Sequence, residues 1–342
     1  MRLSTAARWL CLPVALALAV AAGARPGAGS LPTGRKHLLT VEGDNTVTFV
    51  PQAGIGPSKV DYRARVEYIV NTRSAEEPVT EGESKKKGGR KGPPTTARTR
   101  KKSRDGPVVK VVAALDVSVH SSEMRYRQDG QTVVESKISR SRFQGRVQPD
   151  APVVSVARND APPRLLVILK TFDTTAASLF LDEDSKVVGR EVRVDGPLHA
   201  LTETILSIQT PIPRDVAFWE APSQLAMGRG QTARGMLLFE KQKGDVAKTG
   251  GVVKVKVSGI LKAEGVVVGK FIKDGTYTVT GEQMYEPGSR EWRSARWSVS
   301  VDNKLANPDG QTVAHARGTM LVQSVALDVS PSAGAETPGP RP

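Results

Sequence analysis

Residues able to do chemistry are few and scattered. The four histidines, His37, His120, His199 and His315, never lie within five residues of one another, so no zinc-hydrolase helix motif and no local metal-binding pair is present. No Gly-x-Ser-x-Gly elbow presents a serine nucleophile, and no phosphate or dinucleotide loop occurs. Gly228 and Gly230, in Met227-Gly228-Arg229-Gly230, read as a turn. The acidic cluster Asp182-Glu183-Asp184 separates two apolar runs and suits a hairpin turn better than a calcium loop, which needs more oxygen ligands at fixed offsets. The sequence therefore names no catalytic residue, no metal ligand and no cofactor, and leans away from an enzyme.

The single cysteine, Cys11, sits in the 14-residue apolar run Trp9 to Ala22, which follows a head holding Arg2 and Arg8 and precedes Ala22-Gly23-Ala24. A basic head, a short apolar stretch and an A-x-A site predict a secretory signal peptide over residues 1–24, cut after Ala24. Fourteen residues are too few to span a bilayer comfortably, and Pro13 interrupts them. Cleavage leaves a chain with no cysteine, excluding disulfides, thiolate metal sites and cysteine nucleophiles together. The expectation is a secreted or periplasmic protein of bacterial origin.

The formal charge of +14 suggests a nucleic-acid partner until the charge is located. Ten basic residues and no acid fall in one run, at Lys85, Lys86, Lys87, Arg90, Lys91, Arg98, Arg100, Lys101, Lys102 and Arg104. Setting these ten and the two leader arginines aside leaves only +2 on the remaining chain. The run lacks an apolar face and is broken by glycine and proline, which predicts a disordered basic insertion over 75–106. Such a loop contacts polyanions, here an anionic envelope polymer or lipid headgroups, by releasing counterions. Without interleaved aromatics to stack bases, it gives no reason to expect a specific nucleic acid.

The elements behind these residues are read from periodicity. From Val60 to Val70 apolar and charged residues alternate, as they do around Val253–Val257, Tyr277–Val279 and Trp297–Val301. Period two with one apolar face predicts antiparallel strands. Asp-Gly pairs beginning at 105, 129, 195, 274 and 309 predict turns, as does Pro287-Gly288. Leu165 to Phe172, apolar throughout except Lys170 and Thr171, reads as a strand covered on both faces. One helix is expected over 197–209, where Leu198, Leu201, Ile205 and Ile208 have helical spacing, Pro197 opens the first turn and Pro211 ends it. The following stretch, with Pro213, Phe218, Trp219 and Pro222, reads as an irregular aromatic connection plugging the space under a loop. Trp292 and Trp297, an odd number apart, are expected on opposite faces of a strand, with Trp297 in the core.

The predicted fold is mainly β: a curved open antiparallel sheet, sandwich or half-barrel of roughly 10–12 strands with one amphipathic helix. The β domain is expected over 37–330, after a flexible segment at 25–36 and before a disordered tail at 331–342 that is rich in proline and small residues. Val108-Val109-Lys110-Val111 echoes Val252-Val253-Lys254-Val255, and Asp129-Gly130 echoes Asp274-Gly275, which raises the alternative of two related halves, 37–196 and 210–330.

A leader, a large antiparallel sheet, the turn Tyr285-Glu286-Pro287-Gly288 leading to Trp292 and Trp297, and a long final strand resemble secreted β-rich proteins of bacteria. Their layout is similar to that of the periplasmic lipoprotein carriers, whose curved sheet holds acyl chains under helices. One expected helix stands where the carriers have several, and no functional residue carries over. The resemblance implies an exported, non-enzymatic binding or structural module, with an apolar small ligand as one occupant. The alternatives are an envelope hydrolase with a scattered active site and a purely structural assembly component.

Overall fold

A computed structural model describes residues 34–50, 56–74, 111–146, 152–213, 215–227, 231–242, 251–268, 271–287 and 291–327. The leader, the basic run and the C-terminal tail expected from the sequence lie outside these residues.

The described chain is mainly β and antiparallel throughout, with fourteen strands where ten to twelve were expected. They are β1 (Arg35–Phe49), β2 (Ser58–Ser74), β3 (Ala113–Gln128), β4 (Gln131–Ser139), β5 (Arg142–Arg146), β6 (Val154–Ala157), β7 (Thr175–Leu181), β8 (Val187–Val192), β9 (Phe218–Ala226), β10 (Thr232–Lys241), β11 (Val253–Val268), β12 (Phe271–Glu286), β13 (Glu291–Ala306) and β14 (Thr312–Leu327). All belong to one sheet in the order β6-β5-β4-β3-β2-β1-β14-β13-β12-β11-β10-β9. The sheet forks at β3: residues 113–118 pair with β7, which pairs with β8, while residues 121–128 pair with β4. The first strand lies in the middle, between β2 and β14.

Period two does what the sequence predicts. Val66, Tyr68 and Val70 on β2 point into the core with Leu39, Val41, Val279, Trp297, Val299 and Val322, whereas Arg63, Arg65, Lys254, Lys256 and Arg296 point outward. Charge outside and apolar residues inside is the reverse of a membrane-spanning barrel, whose outer band must be apolar.

Among the described residues there are two α-helices where one was expected. The predicted helix is α2 (Gly196–Ile208); α1 (Pro163–Thr171) replaces the strand expected over Leu165–Phe172. A short apolar run does not distinguish strand from buried helix. Here Pro163 in the first turn, and the burial of Leu169 and Phe172 three residues apart, decide for the helix. The aromatic connection is also corrected: Phe218 and Trp219 begin edge strand β9, with Trp219 packed on Phe239 and Phe218 70% exposed.

Of the Asp-Gly pairs, Asp129-Gly130 forms the β3–β4 hairpin with positive φ at both residues, and Asp309-Gly310 lies in the β13–β14 turn. Asp195-Gly196 opens α2, and residues 105–106 lie outside the described residues. Asp274-Gly275 is not a turn but lies within β12, where the Asp274 carboxylate accepts the Gly265 N–H at 2.7 Å and braces a bulge in β11. The two Asp-Gly echoes thus occupy different places in the sheet.

Helix α2 touches β7, β8 and β9, and reaches β2, β12 and β13 through side chains. A helix that meets both flanks and the middle of one sheet requires that sheet to curl around it. The strand ladder stays open, and α2 occupies the gap between β8 and β9.

Candidate functional site

Two polar regions lie inside the curl, one at each end of the strands. The first surrounds the C-terminus of α2. Helix C-termini leave carbonyls without intrahelical partners, and here strand side chains supply donors. Trp292 Nε1 donates to Thr210 O at 3.0 Å and Gln283 Nε2 to Ile208 O at 3.5 Å. Gln209 Nε2 donates to the Tyr68 hydroxyl at 2.9 Å, which shares a 2.7 Å hydrogen bond with Ser324 Oγ.

His37 stacks on Tyr68, its ring centroid 5.1 Å away. Burial, reinforced by the nearby Arg35 charge, lowers the His37 pKa to about 4, and burial raises the Tyr68 hydroxyl to about 12. Both are neutral near pH 7, and neither faces a described cavity. This end is a packed plug.

Trp292 belongs to that plug, and is 2% exposed rather than outward as its spacing predicted. Ser294 pairs with Met284 but Trp292 pairs with Tyr285, so Arg293 is an extra residue in β13. The bulge shifts the alternation by one and turns both tryptophans inward.

The second region is the opposite mouth, where about 140 Å³ of space lies between β1, β2, β3, β12, β13, β14 and the β9–β10 end. Phe49, Tyr62 and Tyr126 give it aromatic faces, Val60 and Leu305 apolar ones, and Asn45 and Asn303 amides. Among the described residues, Lys273 is the one charged residue of the lining. Asn303 is 4% exposed, and neither its Oδ1 nor that of Asn45 has a hydrogen-bond partner among the described residues. Gly275 lies opposite Asn303 and Gly318 opposite Asn45; a Cβ at either position would fall within 2.5 Å of the facing amide oxygen. The glycines clear the space in which these amides lie.

The remaining candidates disperse. His199 Nδ1 lies 3.0 Å from Val194 O, His120 sits between β3 neighbours with its pKa lowered mainly by burial, and His315 points outward. Asp182 closes the β7–β8 turn as predicted, accepting from the Asp184 and Lys186 N–H groups at 3.0 and 2.9 Å. No group of three His, Cys, Asp or Glu converges among the described residues. Lys85, Lys86, Lys87, Arg90, Lys91, Arg98, Arg100, Lys101, Lys102 and Arg104 lie outside the described residues. The mouth escaped sequence analysis because its residues come from six strands; Asn45 and Asn303, amides at inward positions of apolar strands, were the legible signal.

No family model and no curated protein matches the chain. Among solved structures, it is similar to the beta domain of the Bordetella autotransporter Brka at 6% identity and a TM-score of 0.22, over 85% of this chain and 99% of that one. A likeness that slight carries no argument about fold or function.

Proposed function

We propose that this chain is an exported, non-enzymatic β module of the cell envelope that holds a small, largely apolar ligand in the mouth of its curled sheet. The mouth cavity carries this reading: aromatic and aliphatic faces with a few amides, and, among the described residues, no carboxylate or histidine in its lining. Catalysis by general acid and base would need converging titratable groups instead. At about 140 Å³, the space falls below the roughly 300 Å³ of the smallest drug-sized pockets, so the occupant is a small ring or the end of a longer chain. The leader motif supports export. The basic run Lys85–Arg104 fits contact with anionic envelope polymers, and its deletion should lower retention on acidic polysaccharide at low salt.

The test uses the full secreted chain and the uncharged fluorophore N-phenyl-1-naphthylamine. Ala316 lines the mouth and is buried, so Ala316→Phe fills it. Saturable binding by the wild type that weakens at least fivefold in Ala316→Phe is expected; equal binding by both, or none by the wild type, rejects the reading.

One observation favours the assembly reading. Met236 pairs with Ile260 and with Pro222 on the outer face of β9–β11, and with Leu238 and Phe218 forms an exposed apolar patch. If the patch joins copies, Ile260→Lys should convert an oligomer to a monomer in sedimentation velocity.

A further inference from the structure

We propose that a crevice on the outer face of β1, β2 and β3, which meets the mouth cavity at Tyr62, is a binding site for a phosphate group. The crevice encloses about 190 Å³ and is lined by Glu42, Gly43, Asp61, Tyr62, Arg63, Arg125 and Arg127.

Strand register places its cations together. Arg63 on β2 lies directly opposite Arg125 on β3, and Arg127 is two residues further along the same face. Like charges directly opposite each other in a sheet are destabilising unless something neutralises them. Three nearby acids are committed elsewhere, Glu42 holding Arg63 at 2.9 Å, Asp44 holding Lys59 at 3.2 Å and Glu135, opposite Arg125, holding Arg146 at 3.5 Å, while Glu123, two residues before Arg125, lies opposite another arginine, Arg65. Arg125 and Arg127 have no ion pair among the described residues. The lining carries three guanidiniums against two carboxylates, and beside Glu42 the carboxylate it offers is Asp61, directly opposite Arg127.

A second observation points the same way. Arg127 Nε is buried and has no acceptor among the described residues. Buried polar atoms are satisfied in the great majority of cases, and an arginine N–H is a donor only. The group that would satisfy it is an acceptor, and the excess positive charge makes that acceptor anionic. Guanidinium forks match the paired oxygens of a phosphate, which a point-charged lysine does not. The phosphate is either free or carried on a lipid headgroup; the arginine chemistry is the same.

The experiment uses the full secreted chain with inorganic phosphate in one arm and phosphatidylglycerol vesicles, against phosphatidylcholine, in the other, at fixed ionic strength. Each arm is repeated with Arg125→Gln/Arg127→Gln. Saturable phosphate binding that weakens at least tenfold in the variant supports the site with a free ligand; variant-sensitive binding of phosphatidylglycerol vesicles alone supports it with a headgroup. No binding in either arm, or binding that the variant leaves unchanged, overturns it. Should the variant fail to fold, phenylglyoxal labelling of the wild type decides. Phosphate should slow modification of Arg125 and Arg127 while leaving the exposed Arg317 unaffected, and equal labelling with and without phosphate overturns the proposal.

Discussion

His37 shows how one buried side chain ties stability to pH. Its pKa is about 4 in the folded protein against 6.5 for the free side chain. Between these values the unfolded chain binds the extra proton, so stability is full above pH 6.5, falls as the pH drops and levels off below about 4. At about 1.4 kcal/mol per pH unit, the upper bound on the loss is roughly 3.5 kcal/mol. Urea midpoints at pH 7 and pH 4.5 should differ clearly in the wild type and by much less in His37→Phe, which keeps the stacking on Tyr68. An equal difference in both would assign the pH effect elsewhere. Trp292→Phe removes the donor to the buried Thr210 carbonyl and should cost about 1–3 kcal/mol by the same assay. Neither residue's role was legible in advance: the burial of His37 depends on strands 30 to 290 residues away, and that of Trp292 on a bulge with no Gly or Pro to mark it.

At the level of the element, α2 explains polar residues that its apolar spacing left unaccounted for. Thr204 and Ser207 are buried, and each hydroxyl donates to the carbonyl four residues earlier, at 3.1 and 2.9 Å. Each oxygen then accepts an N–H from the free edge of β9, Ala226 to Thr204 and Gln224 to Ser207, both at 2.8 Å. A sheet edge that would otherwise invite another strand is thus capped by a helix. Arg190 adds a clasp from β8, binding Glu203 of the helix and the Pro222 carbonyl of β9. Thr204→Val with Ser207→Ala leaves two N–H groups without acceptors and should lower stability by about 2–5 kcal/mol in chemical denaturation, since each orphaned donor costs about 1–3 kcal/mol. A loss under 1 kcal/mol would mean that water takes over the edge. The helix itself was readable from Leu198, Leu201, Ile205 and Ile208. The strands were readable from their alternation, whereas α1 was mistaken for a strand because an unbroken apolar run has no period to read.

Over the whole molecule, the sequence reading of a curved open antiparallel sheet holds, and the outer surface follows from the same alternation. Lys36 with Glu67, Arg63 with Glu42, Lys254 with Glu282 and Arg317 with Asp302 pair across neighbouring strands, so part of the outward charge is answered locally. Exposed pairs of this kind contribute at most about 1 kcal/mol each. Raising salt from 0.05 to 0.5 M should therefore shift the melting temperature by only a few degrees, and a collapse of stability would contradict a fold held by its core. What the sequence withheld is the sheet order, because nothing local reveals that the first strand pairs with the last.

That pairing sets a clock. Arg35–Phe49 leaves the ribosome before the rest of the described domain, yet one of its two flanks is filled only by Thr312–Leu327. Contacts so distant along a chain form slowly, and a waiting strand edge recruits whatever extended peptide is near. During biogenesis the nascent protein thus has a long interval of vulnerability, in which a holding chaperone rather than faster translation would decide the yield.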